Sequence, residues 1–275
     1  MSERNRLNLL ARWGASLLIL LFALALAARV WLPDDPNRFD LSRRLAPPSW
    51  HHPLGTDNLG RCVASRVLAG AGLTLGAGIC ASMLAFLPGL LIGLAAGMTS
   101  GRFDAIVMGL VDVALAFPGL VLALVLAGFL QPSLASVVLG LALVGWPWWA
   151  RFVRGLVLVA REKEYVTAAV ALGIGPLPLM VRYILPQLRP PLLVALAMRT
   201  GAMLAAVSGL SYLGLGAQPP AAEWGRMLDE ARMHLSRAPW LMIGPGVALS
   251  LAVAGFNLLA EGLRDHWAVR RFRGW

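Results

Sequence analysis

The chain has 275 residues, of which 58% are apolar (Ala, Val, Ile, Leu, Met, Phe, Trp, Tyr or Cys) and 14% charged, with a formal charge of +10. A soluble domain averages about 25% charged and about 45–50% apolar residues with glycine counted, and the 29 glycines here push the apolar share well past that. So little polar surface excludes a soluble enzyme, a disordered chain and a disulfide scaffold, and leaves an integral membrane protein.

A bilayer core about 30 Å thick needs about 20 apolar residues at 1.5 Å each. Six runs meet that length: 13–32, 70–98, 104–130, 134–160, 192–215 and 240–263. None alternates with period two, so the expected fold class is all-α, a single six-helix membrane domain over residues 1–275. The first run has a basic start (Arg4, Arg6, Arg12) and a signal-like Ala23-Leu24-Ala25, and is read as an anchor. Residues 33–69 form the longest polar stretch outside the runs. Pro33, Pro36, Pro47, Pro48 and Pro53 predict an extended loop there.

The second run carries Gly89, Gly93 and Gly97 at four-residue spacing, plus Gly72 and Gly76, a pattern that lets a neighbouring helix backbone approach closely. Pro88, Pro118, Pro147 and Pro245 each remove a helix hydrogen bond and predict kinks. Asp112 and Arg199 are the most deeply placed charges, with Arg29 and Glu261 nearer the run ends. A charge at bilayer depth costs about 2.5–3.5 kcal/mol on insertion scales. Asp112 and Arg199 therefore either line a water-filled translocation pathway or sit in an ion pair between helices. Beyond the fifth run, Trp224, Met227, Leu228, Ala231 and Leu235 have helical spacing, which predicts a helix over 223–237 lying at the membrane surface or guarding a mouth.

Arginine supplies 23 of the 24 basic residues, and Lys163 is the one lysine. The arginines are scattered between apolar runs, so no nucleic-acid partner is expected. With both termini cytoplasmic and the fourth run taken only to Trp149, the inner segments 1–12, 99–103, 150–191 and 264–275 hold fourteen basic residues and the outer segments 33–69 and 216–239 eight, the latter offset by seven acids. The positive-inside rule favours that orientation. Cys62 and Cys80 form no redox or metal motif. His51, His52, His234 and His266 are too scattered to hold a metal, and no cofactor is expected on this chain.

The stretch 161–190 is too long and too patterned for a plain connection. It runs from Arg161-Glu162-Lys163-Glu164 through Ala168-Ala169 and Leu172-Gly173 to Tyr183-Ile184-Leu185-Pro186. A helix, a break over 173–178 and a second short helix stopped by Pro186 are predicted, with the look of a docking element. This stretch resembles the EAA loop of ABC importer permeases: Ala168, Ala169, Gly173, Leu185 and Pro186 keep the register, while Thr167 replaces the usual Glu and Tyr183 the usual Ile. Three more blocks, His52-Pro53-Leu54-Gly55-Thr56-Asp57-Asn58-Leu59-Gly60-Arg61, Ser211–Gly225 and Asn257–Asp265, resemble the dipeptide/oligopeptide/nickel permease family in the same order, Cys62 replacing its Asp.

That resemblance implies the second, C-type permease of a pair in the bacterial inner membrane. It implies a heterodimer with another permease, two ATPase subunits binding ATP and magnesium, and an external substrate-binding protein for peptides, nickel or metal chelates. The coupling residues would be Glu164, Ala168, Ala169, Gly173, Leu185 and Pro186. The outer segments 33–69 and 216–239 would meet the binding protein or close the mouth.

The residues themselves agree on one point. A P-loop needs a lysine after glycine and before Ser or Thr, and Lys163 lies between Glu162 and Glu164. No catalytic residue is assigned, and any ATP hydrolysis belongs to another polypeptide. The rivals are an ion-gradient secondary transporter, which would favour repeated halves not visible here, and an intramembrane enzyme, for which no histidine lies well inside a run.

Overall fold

The computed structural model describes residues 3–32, 34–99 and 101–271, with side chains described between residues 9 and 267. Pro33 and the side chains of Arg4 and Arg6 lie outside the described residues. The elements are α1 (Glu3–Ala27), α2 (Val63–Met98), α3 (Arg102–Ala116), α4 (Gly119–Phe129), α5 (Leu134–Arg161), α6 (Glu164–Ala171), α7 (Pro176–Leu179), α8 (Leu185–Tyr212), α9 (Trp224–Arg232) and α10 (Trp240–Arg271). A 3-10 turn at Leu41–Arg43 and a π-helical turn at Met180–Ile184 complete them. Among the described residues there is no strand beyond an isolated bridge of Thr56 to Cys62. Five helical stretches are long and apolar enough to cross a membrane, six if α3 and α4 count as one span bent by 82°.

The prolines act unequally. Pro118 stands at the break between α3 and α4, whereas Pro88, Pro147 and Pro245 lie inside continuous helices. Pro186 does not stop a helix; the chain runs on as helix from the π-helical turn Met180–Ile184 into α8, with Pro186 just past the junction. The fifth apolar run, taken from residue 192, therefore belongs to α8, which begins at Leu185. Gln187 and Arg189 interrupt its hydropathy but not its backbone.

Glycine sets the tightest contact in the bundle. α2 and α5 run side by side in the same direction, with Gly89 against Trp149, Gly93 against Ala150 and Val153, and Gly97 against Val157. A Cβ at Gly93 would stand 2.6 Å from the Ala150 carbonyl oxygen. Gly72 and Gly76 have open space where a side chain would go, so only part of the glycine pattern is packing. α1 and α10 run antiparallel, with Gly14 on Leu259 and Gly262 on Ala11. α2 is tied to α8 by a buried hydroxyl pair, Ser82 to Thr200 at 2.9 Å.

Two apolar cores result. One joins α2, α4, α5 and α8 and continues without a gap into Val166, Ala169, Leu179 and Ile184 of the 162–184 connection. The other joins α1, α2, α8, α9 and α10 around Leu18, Leu75, Leu204 and Trp224.

Candidate coupling loop and translocation groove

The 162–184 connection is a helical hairpin whose first arm ends for a local reason. α6 closes in a Schellman motif: the Gly173 N–H donates to Val170 O at 2.9 Å and the Ile174 N–H to Ala169 O at 3.2 Å. The geometry requires a left-handed residue, and Gly173 has φ +81° with nothing near its missing side chain. Gly173→Ala is therefore strained by backbone alone, with an expected loss of about 1–2 kcal/mol, and Gly173→Asn should recover part of it; thermal denaturation of the two variants checks this.

The hairpin has two faces. Val166, Ala169, Leu179 and Ile184 are buried against the bundle. Leu172 is 83% exposed and Leu177 65%, with Val170, Val181 and Tyr165 also outward. Of the six residues singled out by sequence, Ala169 faces the core, Leu185 and Pro186 are half-buried at the α8 junction, Gly173 forms the turn, and Glu164 and Ala168 are exposed. Partial burial pushes the Tyr165 phenol above its usual range. Thr167, in the place of the missing carboxylate, is exposed and turns its hydroxyl to Lys163 O at 3.4 Å. Arg161 fastens the hairpin's root to the end of α2, donating to Gly97 O at 2.8 Å.

The opposite end of the bundle holds a cluster that hydropathy gives no means of seeing. In the 52–61 block, Gly55 (φ +71°) and Gly60 (φ +75°) fold a tight loop. Asp57 closes it by accepting from the Leu59 and Arg61 backbone N–H groups at 2.9 and 3.0 Å. The same carboxylate takes Arg61 Nε at 2.6 Å and lies 3.6 Å from Arg66 Nε. Glu230 of α9 receives Arg61 at 3.1 Å and Arg66 at 3.4 Å. Both guanidinium groups are about 98–99% buried, and Arg66 also donates to Pro36 O and Pro220 O. On the loop's exposed flank, the Ser42 hydroxyl holds the Asp40 carboxyl below its usual range.

Below this cluster the chain dips into the bundle. Glu223, fully buried, caps α9 by accepting from the Gly225 and Arg226 N–H groups, and takes the hydroxyls of Thr74 (3.2 Å) and Ser208 (3.3 Å). The predicted surface helix over 223–237 is thus shorter, ending at Arg232, and Trp224, Met227 and Ala231 are buried against its neighbours rather than laid on a membrane surface. Leu235, placed on its apolar face by sequence, is exposed.

The two deep charges have different settings. Asp112 of α3 is paired with Arg151 of α5, and both side chains are half exposed or more. Arg29 is exposed just past α1, and Glu261 pairs with Arg264 at 3.6 Å. Arg199 of α8 makes no ion pair among the described residues. Its guanidinium lies 4.4 Å from the Trp148 ring centroid and its Nε is buried without a hydrogen bond. It stands in a groove of about 970 Å³ between α5 and α8, walled by Trp148, Phe152, Leu156, Val194 and Met198, with Arg264 and Trp267 also lining it. Asp112 does not line that groove.

Among the described residues no three His, Cys, Asp or Glu side chains come together as a metal ion would need. What the arrangement offers is mechanical and electrostatic: an apolar docking face rooted in the core at one end, a charge-stitched cap at the other, and a groove with one uncompensated cation between them.

Comparison with known proteins places these features in a wider set. Residues 89–273 match the family described as binding-protein-dependent transport system inner membrane component. The chain is 39% identical over 260 residues to the nickel transport system permease protein NikC of Escherichia coli (strain K12), covering 93% of this chain and 94% of that one. It is 41% identical to the glutathione transport system permease protein GsiD of Pectobacterium atrosepticum, over 90% of this chain and 82% of the relative. It is 37% identical to the di/tripeptide transport system permease protein DppC of Pseudomonas aeruginosa, over 92% and 86%. In fold it is similar to an amino acid ABC transporter solved with histidines, with a TM-score of 0.57 and 21% identity over 73% of this chain and 94% of that one.

Proposed function

Because this chain belongs to the family of binding-protein-dependent transport system inner membrane components, and so is a multi-pass transport permease, we propose that it is one of two membrane subunits of an ATP-driven importer in the bacterial inner membrane. A second permease would complete the pathway. Two separate ATPase subunits would bind ATP and magnesium, and an external binding protein would deliver the cargo. The relatives' names put nickel, glutathione and short peptides within the class of substrates.

The observation that carries this reading is the two-faced hairpin. Val170, Leu172, Leu177 and Val181 expose apolar surface at a connection between spans, which suits burial against a partner protein. The opposite face shares one core with α5 and α8. A partner that pulls on the hairpin therefore moves both walls of the groove, because packed interiors transmit displacement. ATP-driven closure of the ATPase pair would bias the bundle between inward- and outward-open states. Glu164, Ala168, Ala169, Gly173, Leu185 and Pro186 are assigned to this coupling, on the cytoplasmic side with both termini. The outer segments 33–69 and 216–239 are assigned to the binding protein or the mouth.

Arg199 is assigned to the pathway. Asp112 is assigned to the pathway's flank through Arg151, which neighbours Phe152 of the groove and already balances the Asp112 charge.

Leu177→Glu tests the docking face, since it adds an exposed charge without touching the core. The expected result is loss of co-purifying ATPase subunits and of ATP-driven uptake, with the permease still inserted. Retention of both would overturn the assignment.

A further inference from the structure

Taking the α5–α8 groove as the pathway, which is the reading above, we infer that Arg199 makes it a site for carboxylate-bearing solutes, a peptide with a free C-terminus or a metal ion wrapped in a carboxylate chelate, and closes it to a bare divalent cation. Arg199 stands fourteen residues after Leu185 and thirteen before Tyr212, about 20 Å from either end of α8 at 1.5 Å per residue. Along α8 the groove is lined from Gln187 to Arg199, so Arg199 stands at its Trp148 end, deep in the span.

The side chain is held ready and left incomplete. Trp148 covers one face of the guanidinium, and Trp148 is itself fixed by rings on both sides, edge-on to Trp149 at 5.0 Å and stacked on Phe152 at 5.0 Å. That stacking orients the planar fork but supplies no hydrogen-bond acceptor, and the buried Nε has none among the described residues. The other charge on the groove, Arg264, is already met by Glu261 and Asp265 at 3.6 and 3.4 Å. The uncompensated charge is therefore Arg199.

A carboxylate satisfies such a fork with two parallel N–H···O bonds. The rest of the wall is mainly apolar, with Phe152, Leu156, Val194 and Met198 beside the neutral amide of Gln187. It can accept solutes that share a carboxylate and differ elsewhere. A naked divalent cation meets the opposite: a like charge, and, among the described residues, no cluster of His, Cys, Asp or Glu to ligate it.

The experiment uses the assembled transporter in proteoliposomes, with Cys80→Ser to remove the exposed native thiol and Met198→Cys to report from the groove wall. Labelling rates are compared for an anionic (sulfonatoethyl) and a cationic (trimethylammonioethyl) methanethiosulfonate. Clefts of one sign concentrate counter-ions by about 10–10³, so the anionic-to-cationic rate ratio should fall about tenfold in Arg199→Gln and be largely kept in Arg199→Lys. A ratio unmoved by Arg199→Gln overturns the inference while leaving the pathway reading intact. No labelling by either reagent overturns both, since the groove is then sealed by protein or lipid.

Competition then separates the sources. Slower labelling with alanyl-alanine identifies a peptide terminus, and slower labelling with nickel citrate a chelate. Protection by neither, or equal protection by alanyl-alanine amide, overturns the assignment.

Discussion

Glu230→Ala is expected to destabilise the end of the bundle remote from the hairpin by about 3–5 kcal/mol, the range for removing one partner of a buried ion pair. Arg61 and Arg66 are both almost fully buried and both rest on this carboxylate. Asp57 alone would face two guanidinium groups in a place water scarcely reaches. The damage should not stay local. Arg66 ties the 34–62 loop through Pro36 and the 213–223 segment through Pro220, so hydrogen exchange should rise in both segments and in α9 while the far hairpin stays protected. Replacing Asp40, exposed and bonded to Ser42 and Arg43 at the loop surface, should change stability by less than about 1 kcal/mol. Equal effects from the two substitutions would show that the buried cluster does not hold that end of the bundle together.

The second large effect belongs to the α2–α5 seam. Gly93→Leu places a side chain where the Ala150 carbonyl, Val153 Cβ and the Arg154 N–H already stand within 2.6–3.1 Å of its first carbon. Overpacking of this kind costs about 1–3 kcal/mol when neighbours can yield. Here the neighbours include backbone, so the helices must separate, and the cost is expected at or above the top of that range. Separation would also shift Trp148 and Phe152, which wall the groove, so uptake should fall with stability. Gly72→Ala is the control: open space surrounds that position, and alanine's helix preference should make it neutral or stabilising by about 0.5–1 kcal/mol. Thermal midpoints of the assembled transporter decide between them, and equal losses from both would contradict the seam.

Those two glycines show how far the sequence could be read. Gly72, Gly76, Gly89, Gly93 and Gly97 share one apolar run and a period near four. Only the presence of α5 distinguishes the last three, and a neighbour's position is not written in local spacing. Hydropathy found the apolar runs because bilayer thickness sets their length. It misplaced the start of α8, where Gln187, Arg189 and two prolines dilute an apolar average without ending the helix. The turn at Gly173 was legible, since a left-handed cap after an alanine-rich helix favours glycine. The cluster of Asp57, Arg61, Arg66 and Glu230 was not, because its members are up to 173 positions apart (Asp57 to Glu230) and look individually like solvated loop charges. Two signals pointed there: Gly-Thr-Asp with a glycine three residues on marks a tight turn, and Glu223 before Trp224 marks a helix cap. For Arg199, sequence left a pathway and an ion pair both open; the structure gives it an aromatic face and no acid.

The mechanism that follows is a division of labour. The hairpin's outward apolar face offers a grip, its inward face is continuous with the core of α5 and α8, and those two helices carry the groove. None of these parts supplies a phosphate-binding loop, since Lys163 sits between two glutamates. On the proposed reading, energy enters from a separate ATPase subunit through the hairpin. The most direct measurement is ATP-driven uptake in proteoliposomes holding the permease pair and the binding protein, with the ATPase subunits present or omitted. Uptake that appears only when they are present, and disappears with Leu177→Glu, is the predicted result. Uptake by the permease pair alone, driven by an ion gradient, would contradict it.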